Sequence, residues 1–297
     1  MPKYRKPKTP PKPDVPFARA TLIIAIQNIR SSRLLYDNGY YPEATFFMQQ
    51  GIEKGCKSFG FYYGLIRKSD VFDPRVRHKG MGVYEITLRQ LQNIISDVRR
   101  KINLVKKCEQ KLNNKNPFFD DLENDVINAQ RKLQFYTSNA DIFFKIPDED
   151  VIKIINSINE IDIALKTIDE NLQNELISYE ITDNMKGKAM DFIRSILPNT
   201  AISKNFFEKL DHQTLLTILR FTSKGLGAIG PLLQLAIITY PHEQRSRYAD
   251  IGIPNEIYTM DFPLVNHFSE LCDICESILI QLQKMYDFLP EPGGSHS

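Results

Sequence analysis

The sequence predicts an all-α protein, and three observations lead to that fold class. Apolar residues recur three or four positions apart over most of the chain, which is the spacing of one helix face. Segments of alternating β-branched residues bounded by glycine, typical of strands, are hard to find among 297 residues with 14 glycines. Long stretches also keep a heptad spacing, which indicates helices packed lengthwise. A hydrophobic content of 42% is sufficient for a substantial core.

Two helices open the folded part of the chain. The first runs from about Phe17 to Tyr36 and ends at Asn38-Gly39, because glycine readily adopts the conformation that terminates a helix. Pro42 begins the second, since proline has no N–H to leave unpaired in a first turn. The short connection predicts an antiparallel hairpin. Gly51 and Gly55 share the apolar face of the second helix, where they let another helix approach closely.

The middle of the chain carries heptad seams. Apolar residues at alternating spacings of three and four run from Tyr84 to Val105, from Phe119 to Tyr136 and from Val151 to Leu172. We therefore predict an extended, antiparallel helical insertion over residues 83–211. A last helix is predicted from Pro263 to about Phe288, with Pro263 at its start.

Residues 1–16 form a basic, proline-rich leader. Its cations precede the first acid, Asp14, and are Lys3, Arg5, Lys6, Lys8 and Lys12. This composition predicts a disordered tail, with an arm that contacts phosphates as the alternative. The longest uncharged stretch, Gly225 to Pro241, is short for a membrane span and contains a proline, so we expect a buried helix. We also find no signal peptide and expect a cytoplasmic protein without a membrane partner.

Polar residues follow one another along the second predicted helix. They are Gln49-Gln50, Glu53-Lys54 and Lys57, after Gly39-Tyr40-Tyr41 and Glu43-Ala44. This Gln-Gln-x-x-Glu-Lys-x-x-Lys pattern in an aromatic helix resembles the second helix of the HEPN family, the higher-eukaryote and prokaryote nucleotide-binding domains. The resemblance covers about residues 17–65, with weaker echoes at 242–288. The amphipathic pattern alone is also that of an ordinary core helix.

The resemblance implies a HEPN-like helical bundle built from both chain ends, 17–82 and 212–290, around the insertion at 83–211. Family members commonly dimerise with the site at the interface, and some pair with a small nucleotidyltransferase. We therefore expect a homodimer, with a nucleotidyltransferase as a candidate partner.

HEPN ribonucleases carry an arginine followed four to six residues later by a histidine. The arginine polarises phosphate and the histidine moves a proton during attack by the ribose 2′-hydroxyl. No histidine outside the terminal segment Gly293–Ser297 follows an arginine at that spacing. The resemblance thus implies at most a degenerate ribonuclease, with His78 as the catalytic candidate.

Two basic clusters are the candidate residues for binding phosphate or nucleic acid. The first surrounds His78 and contains Arg75, Arg77 and Lys79. The second contains His242, Arg245, Arg247 and Tyr248. Arginine forks suit phosphate, and closure of the bundle would bring the two clusters together. Two solvated loops are the alternative interpretation.

Two further motifs favour packing over chemistry. Gly225–Gly230 reads GxGxxG, but no strand is readable before it, so tight helix packing explains it better than a dinucleotide site. Cys272-x-x-Cys275 lies near His267 but lacks a second cysteine pair, and Cys275 falls on an apolar stripe. We therefore predict neither a metal site nor a cofactor.

Together these features predict a HEPN-like protein that binds RNA or nucleotide in a defence or toxin–antitoxin setting. That function follows from the resemblance. The alternative is a non-enzymatic helical scaffold whose long seams bind another protein.

Overall fold

The computed structural model describes residues 11–72, 85–86, 89, 127–128, 131, 135, 144–177, 227–245 and 255–288. The first helices are α1 (Val15–Asp37), α2 (Tyr41–Tyr62) and α3 (Lys68–Phe72). They are followed by α4 (Asp148–Ile177), α5 (227–239) and α6 (His242–Arg245). A 3-10 turn (Asn255–Ile257) then precedes α7 (Pro263–Asn266) and α8 (Phe268–Phe288). These ranges contain no strand, so the all-α class is confirmed for the part of the chain that the structure describes.

Local signals set the bounds of α1. Asp14 caps its N-terminus, because the carboxylate accepts a hydrogen bond from Phe17 N at 3.1 Å. Gly39, with φ of 80°, takes the left-handed conformation just beyond its end. The helix begins at Val15, two residues earlier than predicted, and Val15 is only 3% exposed. The predicted disordered leader of residues 1–16 is therefore too long, because residues 11–16 have a defined place.

The α1–α2 hairpin is close-packed at the two predicted glycines. A Cβ built on Gly51 would lie 2.5 Å from Ile29 Cδ1 in α1. One built on Gly55 would lie 2.6 Å from Leu279 Cδ2 in α8. Both distances are shorter than real carbon contacts, so a methyl group at either position would require the Ile29 or Leu279 side chain to move. The close approach of neighbouring helices at these glycines is confirmed.

The C-terminal helix α8 runs antiparallel to α1 and packs against the hairpin. Arg30 pairs with Glu276, and the rings of Tyr36 and Phe268 stack 4.8 Å apart. At the other end of α8, the rings of Tyr62 and Tyr286 stack at 3.9 Å. Residues from near both ends of the chain therefore share one core in the described structure.

The C-terminal helix was predicted as one element from Pro263, and this is wrong in detail. His267 leaves helical geometry, with φ −94° and ψ 9°, and separates α7 from α8. Its ring nitrogen Nε2 lies 2.9 Å from Asp148 Oδ1 at the start of α4. The break is therefore accompanied by a contact with a distant part of the chain.

Part of the predicted insertion belongs to the same core. Phe144, Val151, Ile155 and Ile158 are each at most 3% exposed and join the cluster formed by the hairpin and α8. Most of residues 83–211 lies outside the described residues, so the insertion and its boundaries stay a prediction. Its described portion, from Phe144, is integral to the bundle.

Candidate nucleic-acid interface

Five side chains of α2 form a connected hydrogen-bonded series, which we call the α2 polar network: Gln49, Gln50, Glu53, Lys54 and Lys57. Gln49 Nε2 donates to Glu53 Oε2 at 3.3 Å, and Gln50 Nε2 donates to Gln49 Oε1 at 2.8 Å. Lys54 Nζ donates to Gln50 Oε1 at 3.1 Å. Lys57 Nζ forms an ion pair with Glu53 Oε1. Three of these contacts join residues four apart, which lie one above the other on a helix, and the Gln50–Gln49 bond links the two rows.

The network is buried at its centre and open at its cationic edge. Gln49 is 2% exposed and Glu53 is 6% exposed, although both carry polar groups. Burying such groups is costly unless each is hydrogen-bonded, and the network supplies those bonds. Lys54 is half-buried, and desolvation lowers the pKa of its ammonium group, against the opposing effect of Glu53. The result is two ammonium groups held in fixed positions by a buried amide and carboxylate series.

Helix α6, which begins with the first residue of the second basic cluster, lies against α2. The cluster's first residue, His242, is 0% exposed. Its Nδ1 lies 2.9 Å from the Tyr258 hydroxyl, and the Phe144 ring centre is 4.8 Å from its own. In this arrangement the ring would contact a ligand only after the core opened. Its proposed contact with nucleic acid stays a prediction, but its placement is that of a core residue.

Sequence reasoning missed the aromatic surroundings of His242. Phe144 precedes α4, whereas Tyr258 and Phe262 both precede α7, and all three rings lie near the imidazole. The available signal was the density of aromatic residues in 258–268, which is unusual for a solvated loop. Without a fold, no spacing rule joins those residues to Phe144.

Most of the other predicted site residues lie outside the described part of the chain. They are Arg75, Arg77, His78, Lys79, Arg247 and Tyr248. Arg245 is in α6, and its side chain is also outside the description. The convergence of the two basic clusters therefore stays a prediction.

The cysteine pair of α8 is part of the core. Cys272 and Cys275 are both 0% exposed, and burial raises the pKa of the Cys272 thiol to about 12. Burial likewise raises the pKa of Cys275 well above its ordinary value. Among the described residues, no group of three His, Cys, Asp or Glu side chains could hold a metal ion. This placement favours the packing interpretation of the Cys-x-x-Cys motif.

For the glycine-rich motif at Gly225–Gly230, the structure does not support the packing interpretation in the same way. Gly227 and Gly230 lie in α5, with a groove of about 220 Å³ between this helix, α4 and α8. Among the described residues, the atom nearest to a Cβ on Gly230 would be Ile161 Cδ1, at 4.0 Å. The described helices therefore leave space at Gly230, where the motif was expected to pack tightly.

No family model, curated protein or solved structure matches the chain. Within the ranges that the structure describes, no helix has the length and apolar character needed to cross a membrane.

Proposed function

We propose that the chain is a HEPN-like helical protein that binds RNA or a nucleotide through its phosphates, in a defence or toxin–antitoxin setting. The α2 polar network is the observation that carries this proposal. Its residues are those on which the resemblance to the HEPN family rests, and they are connected to one another in the structure.

The physical argument starts from the cost of the network. An apolar helix face of similar volume would stabilise the bundle at least as well as a buried ion pair. The side chains instead hold the ammonium groups of Lys54 and Lys57 on α2, the helix that α6 contacts. Cations fixed in advance bind phosphate with less loss of conformational entropy than mobile ones. The basic cluster that continues from α6 would then add Arg245 and Arg247 to the same surface.

Binding is favoured over cleavage. The arginine–histidine spacing of HEPN ribonucleases is absent from the sequence, and His242 is enclosed by aromatic rings. His78 is the remaining catalytic candidate. The proposal is therefore a degenerate member that retains a phosphate-binding surface.

The test is the salt dependence of binding to a short, fluorescently labelled single-stranded RNA, followed by anisotropy. If Arg75, Arg77, Lys79, Arg245 and Arg247 act together, log affinity against log salt should have a slope of roughly −3. Changing Arg75 and Arg77 to Ala should make the slope shallower by about one unit, because two cations leave the count. Arg245→Ala with Arg247→Ala should have the same effect. Lys54→Met should also weaken binding and reduce the slope.

Lys284→Met is the matched control for Lys54→Met, because it removes one charge from an exposed position on α8. It should leave the slope unchanged. Equal effects of the two lysine variants would contradict a site on α2. Absence of binding at low salt would reject the proposal and favour the scaffold, for which the groove between α4, α5 and α8 is the first surface to examine. RNA cleavage lost in His78→Ala would instead show that the catalytic role had been underestimated.

A further inference from the structure

The end of the bundle that holds the α1–α2 connection has an unusual surface. Here α1 ends, α2 and α8 begin, and Met260 from the segment before α7 contacts Tyr36. We call it the turn surface and define it by Tyr36, Asp37, Tyr40, Tyr41, Glu43, Met260, Asp261 and Glu270. Its side chains are of two kinds, aromatic or sulfur-containing and acidic.

The apolar part of the turn surface contains side chains in contact with one another and side chains that are well exposed. The Tyr36 hydroxyl lies 3.6 Å from Met260 Sδ, and the Tyr36 and Tyr41 ring centres are 5.4 Å apart. Tyr40 is 57% exposed and Met260 is 50% exposed. Large apolar side chains grouped in this way mark interaction sites more often than single exposed ones do.

The acidic part of the turn surface lies close in sequence to these side chains. Asp37, Glu43, Asp261 and Glu270 are all exposed, and none takes part in an ion pair within the described ranges. Glu43 and Glu270 lie in the first turns of α2 and α8, where the helix dipole favours a negative charge. Asp37 is different, because it lies at the C-terminus of α1, where the dipole disfavours it. The preference of helix N-termini for negative charge therefore does not explain the presence of all four acids.

The chain itself contains a segment of complementary chemistry. Lys3 to Lys12 reads KYRKPKTPPK, with five cations and no acid. Pro7-Lys8-Thr9-Pro10 within it has the PxxP spacing, which favours the polyproline II conformation. Segments of this kind bind surfaces lined by aromatic rings, and their lysine and arginine groups bind ring faces and carboxylates. The charge and the expected conformation of the Lys3–Lys12 segment are thus complementary to the turn surface.

We propose that the turn surface binds the Lys3–Lys12 leader of a second copy of this chain. The proposal rests on the placement of the leader's end as well as on charge. Pro13 and the Lys12 carbonyl carbon lie against Gly64, where a Cβ would come within 2.9 Å of both. Asp14 N donates to Phe61 O at 2.9 Å, and Lys68 pairs with the Asp14 carboxylate. The leader therefore departs from the end of the bundle opposite the turn surface.

The leader is too short to seat Arg5, Lys6, Lys8 and Lys12 on the turn surface of its own chain. The 23 residues of α1 separate the two ends by roughly 33 Å at 1.5 Å per residue. From Lys12, a fully extended chain carries Lys8 at most about 14 Å and Arg5 about 25 Å. In two copies placed side by side and antiparallel, however, the leader of each departs next to the turn surface of the other. The exchange is then symmetric and closed, as in most homodimers.

The test uses the full chain, freed of nucleic acid and checked by ultraviolet absorbance, in sedimentation velocity at several salt concentrations. The expected result is a dimer at low salt that dissociates as salt rises, because the contact pairs exposed charges. A leader variant carries Gln at Lys3, Arg5, Lys6 and Lys8. A surface variant carries Tyr40→Ala, Asp37→Asn and Asp261→Asn. Each should weaken self-association by about tenfold or more. Circular dichroism verifies that both remain folded.

Mixing the leader variant with the surface variant tests whether the leader of one copy binds the turn surface of another. The leader variant keeps an intact turn surface and the surface variant keeps an intact leader, so fluorescently labelled samples of the two should form a heterodimer. Asp287→Asn, an exposed acid at the far end of α8, is the control and should dimerise like the native chain. A native chain that stays monomeric at low salt would overturn the proposal. So would a surface variant that dimerises normally, or variants that fail to associate when mixed. The proposed RNA site takes no part in this argument.

Discussion

The two faces of α2 are both buried, but by different means. On one face Gly51 and Gly55 let the helices α1 and α8 come within contact distance of the backbone. On the other, Gln49 and Glu53 are nearly as inaccessible, although their polar atoms bind only to one another and to flanking lysine and glutamine groups. The first face derives its stability from packing. On the second face, hydrogen bonds and an ion pair among the side chains offset the cost of burying their polar groups.

This difference indicates how each face responds to change. A close-packed face resists added volume, since the neighbouring atoms have nowhere to go. A hydrogen-bonded face resists removal of a partner, since the remaining group is left buried without compensation. Three substitutions test this distinction.

The largest effect is expected from separating the buried ion pair. Lys57→Met leaves the Glu53 carboxylate, which is 6% exposed, without its cation. Breaking a buried pair in this way costs about 3 kcal/mol in the free energy of unfolding. Urea denaturation followed by circular dichroism measures it. Adding Glu53→Gln to Lys57→Met should restore most of the loss, because the neutral amide no longer needs a counter-charge.

The chain provides a matched control for this pair. Lys166 and Asp162 in α4 have the same spacing, but their side chains are 69% and 40% exposed. Lys166→Met should therefore cost less than about 1 kcal/mol. If the two lysine variants prove equally stable, the polar face of α2 behaves like a solvated one, and our account of it is wrong.

A smaller effect is expected on the close-packed face. Gly51→Val places new carbons against Ile29, and the Ala25 carbonyl oxygen only 3.1 Å away cannot rotate aside as a side chain can. Overpacking of this kind costs roughly 1–3 kcal/mol. Gly230→Ala is the counterpart, because the nearest atom of the described residues to a Cβ there is 4.0 Å away. It should stabilise the protein by up to about 1 kcal/mol through helix propensity. Thermal denaturation of both variants gives the comparison, and stabilisation by Gly51→Val would refute the close packing.

Local signals predicted the parts of the fold that local chemistry determines. Asn38-Gly39 and Pro42 mark the α1–α2 connection because they restrict the backbone wherever they occur. Gly51 and Gly55 were recognisable because they fall on an apolar face. The break at His267 was not predictable, since it accompanies a contact with Asp148 from another part of the chain.

In the candidate site, too, the features set by local sequence were predictable, whereas those set by distant contacts were not. The spacing of Gln49, Glu53 and Lys57 identified a polar series, but nothing in the sequence indicated that its centre is buried. Periodicity assigns polar residues to a wet face by default. His242 was grouped with its basic neighbours for the same reason, whereas the rings around it come from residues 144, 258 and 262. Burial that depends on distant segments is invisible to a pattern read along one helix.

The smallest expected effect concerns Lys54, at the edge of the polar face. Burial lowers the pKa of its ammonium group, so the folded protein releases this proton at a lower pH than the unfolded chain, which holds it to about pH 10.4. Between those two values the unfolded state binds more protons, and stability therefore rises with pH. Relative to Lys54→Met, the native chain should gain stability as pH approaches about 10.4. Burial also raises the pKa of Tyr62 and Tyr286, which lowers stability at high pH, but both proteins share that effect and it cancels in the difference. Urea denaturation of the two proteins over an alkaline pH series measures the difference in their free energies of unfolding. A flat difference for Lys54→Met would mean that Lys54 is as solvated when folded as when unfolded.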